Sequence, residues 1–276
     1  MLAVPATLLV LLFLLIPLAF LLRFSFNRFV PGELMTEAFT AENYAKFFHD
    51  GFYRSVLWTT LWMSAAATAI CLLAGYPVAY YLARALSGRA KGIMVIAVVL
   101  PLLMGNAVRT AAWMVLLGDR GAIAAALAAL GVTDRIHLMY TPAAVLIGLT
   151  SVLLPFMILT LQSVLEAIDP ALEEAARSLG GSNLRSFVRV VLPLSSPGML
   201  AGCMLCFTLS MNAYATPVLI GGPKFHMMAP EVYQQVAKAM DWPFGAALAF
   251  ILMLVTLVLS FAATRLAQRH YRRWTA

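Results

Sequence analysis

The residues able to do acid–base or nucleophilic chemistry are few and do not converge in the sequence. Glu173 and Glu174 are adjacent, so on a helix their side chains point about 100° apart and do not form an acid–base pair. The four histidines are scattered over polar segments without a second ligand at metal spacing, and no Ser-His-Asp or Cys-His arrangement occurs within one segment. We therefore predict that the chain is not an enzyme and that it carries neither a metal nor another cofactor.

The three cysteines offer a second possibility, because Cys203-x-x-Cys206 has the spacing of a redox motif. These two residues and Cys71 all lie in apolar runs, whereas a disulfide framework or a zinc site needs convergent polar surroundings. We favour packing of small sulfur side chains between helices over redox chemistry.

The elements that carry these residues are those of a membrane protein. The chain has 276 residues, of which 62% are hydrophobic and only 11% are charged, whereas soluble domains contain about 25% charged residues. The net charge of +7 is not clustered on one solvated face. We therefore interpret it as a signal of membrane topology rather than of nucleic-acid binding.

Six apolar runs are each about as long as the 20 residues that cross a bilayer core. They predict an all-α polytopic fold with six transmembrane helices over 1–22, 55–83, 92–117, 142–165, 194–216 and 244–264. Residues 1–22 are expected to be a retained helix rather than a signal peptide, since no basic start or small-residue cleavage site precedes Arg23. Mixed loops are predicted at 118–141, with a short Ala-rich surface helix, and at 217–243.

These runs divide the chain into three regions. Residues 1–54 hold the first helix and an extracytoplasmic segment, 55–266 form a five-helix core, and 267–276 are a basic tail. With six spans, both termini lie on one side, together with the acid-free linker 84–91. That side carries ten basic residues against eight on the other. The positive-inside rule therefore predicts that both termini are cytoplasmic.

The longest charged segment with helical character, residues 166–193, lies on the same side between the fourth and fifth spans; we call it the two-helix element. Asp169 is expected to cap a first helix, Gly180-Gly181 to stop it, and Ser182 to cap a second helix that Pro193 ends. Apolar residues at three- and four-residue steps predict one apolar face, made of Leu165, Ile168, Leu172, Ala176 and Leu179. Such an element at a membrane surface is suited to docking.

The spacing within this element is specific. Glu174-Ala175-Ala176 is followed at fixed intervals by Gly180, Val190 and Leu192-Pro193. This pattern resembles the EAA signature of ABC importer permeases, in which isoleucine usually stands where Val190 does. From about residue 55 onward the chain resembles the spermidine/putrescine branch, on the segments Asn106-x-x-Arg109-Thr110-x-x-Trp113, Tyr140-Thr141-Pro142, Leu154-Pro155-Phe156-Met157 and Ala213-Tyr214-Ala215-Thr216-Pro217.

The resemblance implies a permease subunit that forms half of a translocation pathway in a bacterial inner membrane. It also implies ABC ATPase subunits, a second homologous permease, with a homodimer as the alternative, and an extracytoplasmic solute-binding protein. No GxxxxGK[ST] segment is present, so ATP is expected to be bound and hydrolysed by a separate subunit. The implied ATPase-coupling residues are Glu173, Glu174, Ala175, Ala176, Leu179, Gly180, Val190, Leu192 and Pro193.

The cargo is less closely defined. A polyamine is expected, but Ala111 and Ala112 replace the bulkier residue typical of the branch after Arg109-Thr110. Iron(III), an opine or amino-acid derivative, and a phosphonate are the alternatives. Candidate substrate-pathway residues are Trp62, Asn106, Arg109, Trp113, Asn212 and Tyr214. For each, a structural role is the competing interpretation: snorkelling for Arg109, interhelical hydrogen bonding for Asn106, Asn212 and Tyr214, and interface anchoring for the tryptophans.

A stand-alone secondary transporter is the contrasting function class. The predicted spans contain no carboxylate for proton or sodium coupling, and no inverted repeat is evident.

Overall fold

The computed structural model describes residues 3–32, 35–85, 87–129 and 137–275. Within these ranges the secondary structure is helical, without β-strands, and an isolated β-bridge joins Arg28 to Thr36. The helices in chain order are α1 (Ala3–Ser25), α2 (Glu42–His49), α3 (Gly51–Arg84), α4 (Gly88–Val99), α5 (Asn106–Leu117), α6 (Ala122–Ala129), α7 (Pro142–Ala167), α8 (Pro170–Ser178), α9 (Asn183–Ser186), α10 (Leu192–Leu194), α11 (Ser196–Met211), α12 (Ala215–Gly221), α13 (Met228–Tyr233) and α14 (Trp242–Thr275). A 3₁₀ turn covers Leu100–Leu103, and π-helical turns cover Phe187–Val191 and Gln234–Lys238.

Four of these helices are long and apolar enough to cross a membrane: α1, α3, α7 and α14. The first, second, fourth and sixth predicted spans are thereby confirmed as continuous helices. Helix α3 has 34 residues, or about 51 Å at 1.5 Å per residue. Because a bilayer core is only about 30 Å thick, α3 is long enough to project beyond the core.

The third predicted span is broken. The expectation of one helix over 92–117 was wrong, because the segments Gly88–Leu103 and Asn106–Ala126 are bent by 97°. Pro101 lies in the 3₁₀ turn, and the two residues after that turn, Met104 and Gly105, have extended ψ angles of 136° and 139°. Proline removes a backbone donor, and the extended residues redirect the chain. The Ala-rich helix predicted within 118–141 is confirmed as α6.

The fifth predicted span, 194–216, is shorter than expected, because α11 covers Ser196–Met211 and ends before Asn212. Helix α11 is bent by 62° from the preceding segment Asn183–Leu194, so the structure has up to six spans if each bent pair counts as one. The predicted loop 217–243 is largely helical instead, since it contains the end of α12, then α13 and a π-helical turn. Hydropathy alone did not reveal these short helices.

The described residues form two compact units, one from those within 1–60 and 226–257, the other from those within 61–225 and 258–276. In the first unit, the buried Asn43 amide donates to the carbonyl oxygens of Ser25 and Asn27, at 2.8 and 2.9 Å. The hydroxyl oxygen of Thr60 accepts from the backbone N–H of Met228 at 2.9 Å. These polar contacts connect distant stretches of the chain within this unit.

In the second unit, α7 packs against α11 around buried side chains that include Leu153, Met157 and Leu161. The close approach depends on glycine. A Cβ at Gly202 of α11 would lie 2.7 Å from the Met157 sulfur, and one at Gly198 would lie 2.8 Å from Val164. Small residues at such positions let the backbones of spanning helices come together. The α7–α11 pair therefore holds both ends of the two-helix element.

Candidate functional site

The first helix of the two-helix element is capped as predicted. The Asp169 carboxylate accepts the backbone N–H of Ala171 at 2.9 Å, and Pro170 occupies the first turn of α8. After Ser178 the chain turns at Gly180, whose φ of +82° strongly favours glycine. The backbone N–H of Gly181 reaches back to the carbonyl of Ala176 at 3.1 Å, which satisfies a terminal acceptor of α8.

The second helix begins as predicted and ends within one residue of the predicted position. The Ser182 hydroxyl accepts the N–H of Arg185 at 3.3 Å, which confirms the cap. The helical segment Asn183–Leu194 ends one residue after Pro193, where it is bent by 62° from α11. The sequence did not indicate that the chain passes through the π-helical turn Phe187–Val191 into α10 before this end. The extra residue of the π-helical turn places Pro193 in the first turn of a new α segment. There its missing N–H is not required.

Glu173 faces the interior and forms the firmest contact of the element. The residue is only 7% exposed. Its Oε1 accepts from Arg84 Nε at 2.7 Å, and its Oε2 accepts from the Tyr80 hydroxyl at 2.9 Å. Arg84 also donates from Nη2 to the carbonyl oxygen of Ile168 at 2.9 Å. Glu173 therefore attaches α8 to the end of α3, and its carboxylate is turned away from the outer surface.

The outer surface of the element exposes several large apolar side chains among charged ones. Leu179 is 90% exposed, and Leu172, Leu184 and Val188 are also exposed. The single apolar face predicted from Leu165 to Leu179 is divided by the break at Asp169: Leu165 and Ile168 are buried, whereas Leu172 and Leu179 point outward. Since soluble surfaces seldom expose so many large apolar side chains together, this surface has the character of an interaction site.

The other predicted coupling residues lie in two groups along the element. Glu174 and Ala175 are exposed, and Ala176 is half-buried. Val190, Leu192 and Pro193 are half-buried at the far end of the element. The structure thus separates the predicted set into outward-facing members on α8, the inward-facing Glu173, and a second group in the π-helical turn and α10 that precede α11.

The candidate substrate-pathway residues lie on several elements of the second unit. Asn106, Arg109 and Trp113 share α5, which packs against α12, the helix that follows Tyr214. The hydroxyl groups of Thr110 and Thr216, 3.3 Å apart, join these two helices. Asn212 follows α11 and donates to the carbonyl of Thr208, while Trp62 is exposed on α3.

Arg109 lies beside the break in the third span. Its guanidinium Nη2 donates to the carbonyl oxygen of Pro101 and, at 3.4 Å, to that of Met104. Both carbonyls belong to the turn that joins α4 to α5. This contact supports a structural role, in which Arg109 satisfies backbone acceptors left by the bend.

Several residues of the site were missed by sequence reasoning. Arg84 and Lys91 were taken as topological charges, and Tyr80 and Glu166 were given no role. Lys91 Nζ lies 3.1 Å from Glu166 Oε1, and the Gln162 amide donates to the same oxygen at 2.7 Å. The available signal was that an acid-free basic linker and an acid-rich element were predicted on the same side of the membrane.

Comparison with known proteins agrees with the arrangement of helices described above. Residues 67–272 match the family described as "binding-protein-dependent transport system inner membrane component". The chain is 35% identical over 262 residues to the spermidine/putrescine transport system permease protein PotB of Escherichia coli (strain K12), covering 94% of each protein. It is also 32% identical over 240 residues to the inner membrane ABC transporter permease protein YdcU of the same strain, covering 82% of this chain and 76% of YdcU.

A solved structure has the same fold. It is the bacterial alginate ABC transporter in complex with an alginate pentasaccharide-bound periplasmic protein, and one of its chains matches with a TM-score of 0.82 at 15% identity. The match covers 98% of this chain and 93% of that chain. The chain therefore belongs to the family of inner membrane components of binding-protein-dependent transport systems, and it is a permease subunit of an ABC importer.

Proposed function

We propose that the two-helix element docks an ABC ATPase subunit and that the chain forms half of the pathway of an ATP-driven importer. The observation that carries this proposal is the exposed apolar surface on a rigidly capped α8, of which Leu172 and Leu179 are members. A helix presenting such residues fits a groove on a partner. The absence of a P-loop in the sequence requires that ATP be bound elsewhere.

The proposed orientation places this element and both termini in the cytoplasm. Support comes from the basic linker between α3 and α4, whose Arg84 and Lys91 lie at the same end of the helices as the two-helix element and are bonded to it. Basic residues in short loops favour the cytoplasmic side. An ATPase that uses cytoplasmic ATP would then reach the exposed surface of α8.

The proposed cargo is a polyamine of the spermidine or putrescine type. The similarity to PotB over nearly the whole chain supports this assignment. Aromatic side chains would contact the ammonium groups through cation–π interactions, and the candidates are Trp58, Trp62, Trp113 and Tyr214. A second homologous permease would complete the pathway, and an extracytoplasmic binding protein would deliver the cargo. Iron(III), an opine and a phosphonate are the competing cargoes.

Reconstitution tests these proposals together. The chain, coexpressed with the ATPase, second permease and binding protein of its own system, should import radiolabelled spermidine or putrescine into proteoliposomes only when ATP is supplied to the cytoplasmic face. A thermal-shift screen of the binding protein should show stabilisation by polyamines and not by iron(III), an opine or a phosphonate. Transport by this chain alone, without an ATPase, would refute the docking proposal, and a different stabilising ligand would refute the cargo.

A further inference from the structure

The basic linker 84–91, which includes the end of α3 and the start of α4, is bonded to the two-helix element through its first and last residues. Arg84 is the last residue of α3, and its Nε lies 2.7 Å from Glu173 of α8. Lys91 lies in the first turn of α4, and its Nζ lies 3.1 Å from Glu166 near the end of α7. The two ion pairs therefore lie on either side of the junction between α7 and α8. We call these four residues the clasp.

The two halves of the clasp differ in strength. The Arg84 and Glu173 side chains are 14% and 9% exposed, and Tyr80 and the Ile168 carbonyl complete their hydrogen bonds. Removing one partner of such a buried pair leaves an uncompensated charge, which is strongly unfavourable. Lys91 and Glu166 are more exposed, and exposed pairs contribute little. The Arg84–Glu173 pair is thus the principal connection.

This connection joins elements that the chain itself does not join. The two-helix element is covalently continuous with α7 on one side and α11 on the other. Helix α3 is 89 residues away in sequence from Glu173 at the point of contact. Yet α3 ends at Arg84 and is long enough, at about 51 Å, to carry a displacement across a membrane core.

We propose that movement of α8 reaches the spanning helices not only through the covalent connections to α7 and α11 but also through the Arg84–Glu173 ion pair. This ion pair remains intact throughout the transport cycle. This inference rests on the proposed docking of an ATPase at α8. When the docked subunit displaces α8, Glu173 draws Arg84 and the end of α3 with it. Arg84, Glu173 and Tyr80 are positioning residues: they transmit motion and do not contact cargo or nucleotide.

The test compares uptake per ATP hydrolysed in the complete reconstituted transporter. For Glu173→Gln and Arg84→Gln we expect ATPase to remain bound and hydrolysis to continue, while uptake per ATP falls about tenfold, within the usual range of coupling between sites. Tyr80→Phe keeps the ion pair, so it is the variant least disruptive to folding. It should lower the same ratio about threefold, the size expected for one hydrogen bond. The matched control is Arg89→Gln, an exposed residue of the same linker, which should stay within about twofold of the wild type.

A covalent replacement tests whether the pair stays closed. In the double variant Arg84→Cys, Glu173→Cys, uptake per ATP hydrolysed should be as low as in the single substitutions. A short bifunctional thiol reagent that joins the two cysteines should restore at least about half of the lost uptake per ATP. Each single cysteine variant, treated in the same way, is the control. Loss of uptake on cross-linking would show that the ion pair must open during transport and would overturn the proposal. A wild-type ratio of uptake to ATP hydrolysis in Glu173→Gln, Arg84→Gln and Tyr80→Phe would also overturn it. If the wild-type chain transports its cargo without the ATPase, it is the docking proposal that fails.

Discussion

Leu179 offers the most direct test of the docking surface, because its side chain is 90% exposed at the C-terminal end of α8. The perturbation is Leu179→Ala. An exposed side chain contributes little to the folding of its own chain, so the variant should insert and fold with a stability within about 0.5 kcal/mol of the wild type. Any larger effect must then come from a partner that covers this position.

The expected effect on binding follows from the apolar surface lost. The substitution removes three carbon atoms, and burying one methylene group is worth about 0.8 kcal/mol. If the ATPase covers Leu179 almost completely, the free energy of binding should weaken by about 2 kcal/mol. That corresponds to an increase of about 30-fold in Kd for the ATPase.

The assay is titration of the ATPase onto the permease in lipid nanodiscs, with Kd measured for wild type, Leu179→Ala and a control. Leu73→Ala is the matched control, since Leu73 is also exposed but lies within the spanning helix α3. Its Kd should equal that of the wild type. An unchanged Kd for Leu179→Ala, with the wild-type ratio of uptake to ATP hydrolysis, would refute the assignment of this surface to the ATPase.

Three further predictions follow from other parts of the structure. Gly180→Pro should abolish ATPase docking or coupled uptake while the spans still insert. The reason is that proline fixes φ near −65°, whereas the native φ of Gly180 is +82°. Coupled uptake at the wild-type level would contradict this prediction. Ser182→Cys should react with an impermeant thiol reagent only after the membrane is permeabilised, and labelling of intact cells would invert the proposed topology. Gly202→Val should lower Tm, since a Cβ there lies 2.7 Å from the Met157 sulfur and overpacking costs about 1–3 kcal/mol. Gly92→Val, where a Cβ meets nothing within 4 Å, is its control, and an equal Tm for both would refute the packing argument.

The third span shows where prediction from hydropathy stops. The composition of 92–117 correctly indicated apolar helices, because the mean hydropathy of a window reports whether residues tolerate lipid. Mean hydropathy carries no information on the direction in which a helix runs, and so it did not reveal the 97° bend between α4 and α5. Pro101 was a visible signal, but proline within a span does not always break it: α7 continues through Pro155.

The π-helical turn before Pro193 illustrates the same point on a smaller scale. Proline is incompatible with the interior of a regular α-helix, so the sequence indicated an end at this position. The structure keeps the chain helical by inserting one residue, so that Leu192 bonds to Phe187, five residues earlier. Such a register change depends on the helices packed around it and leaves no distinct local pattern.

The amino-acid sequence was sufficient to predict a helical membrane protein in which residues 166–193 form two short capped helices. Both conclusions rest on local physics: apolar runs of sufficient length, and the hydrogen bonds that Asp169 and Ser182 offer to nearby backbone N–H groups. The side of α8 that faces outward and the pairing of Glu173 with Arg84 depend on the packing of distant helices and became visible only in the three-dimensional structure. That pairing joins residues 89 positions apart, and it exists because the packing of the helices brings the ends of α3 and α7 together, which no local pattern specifies.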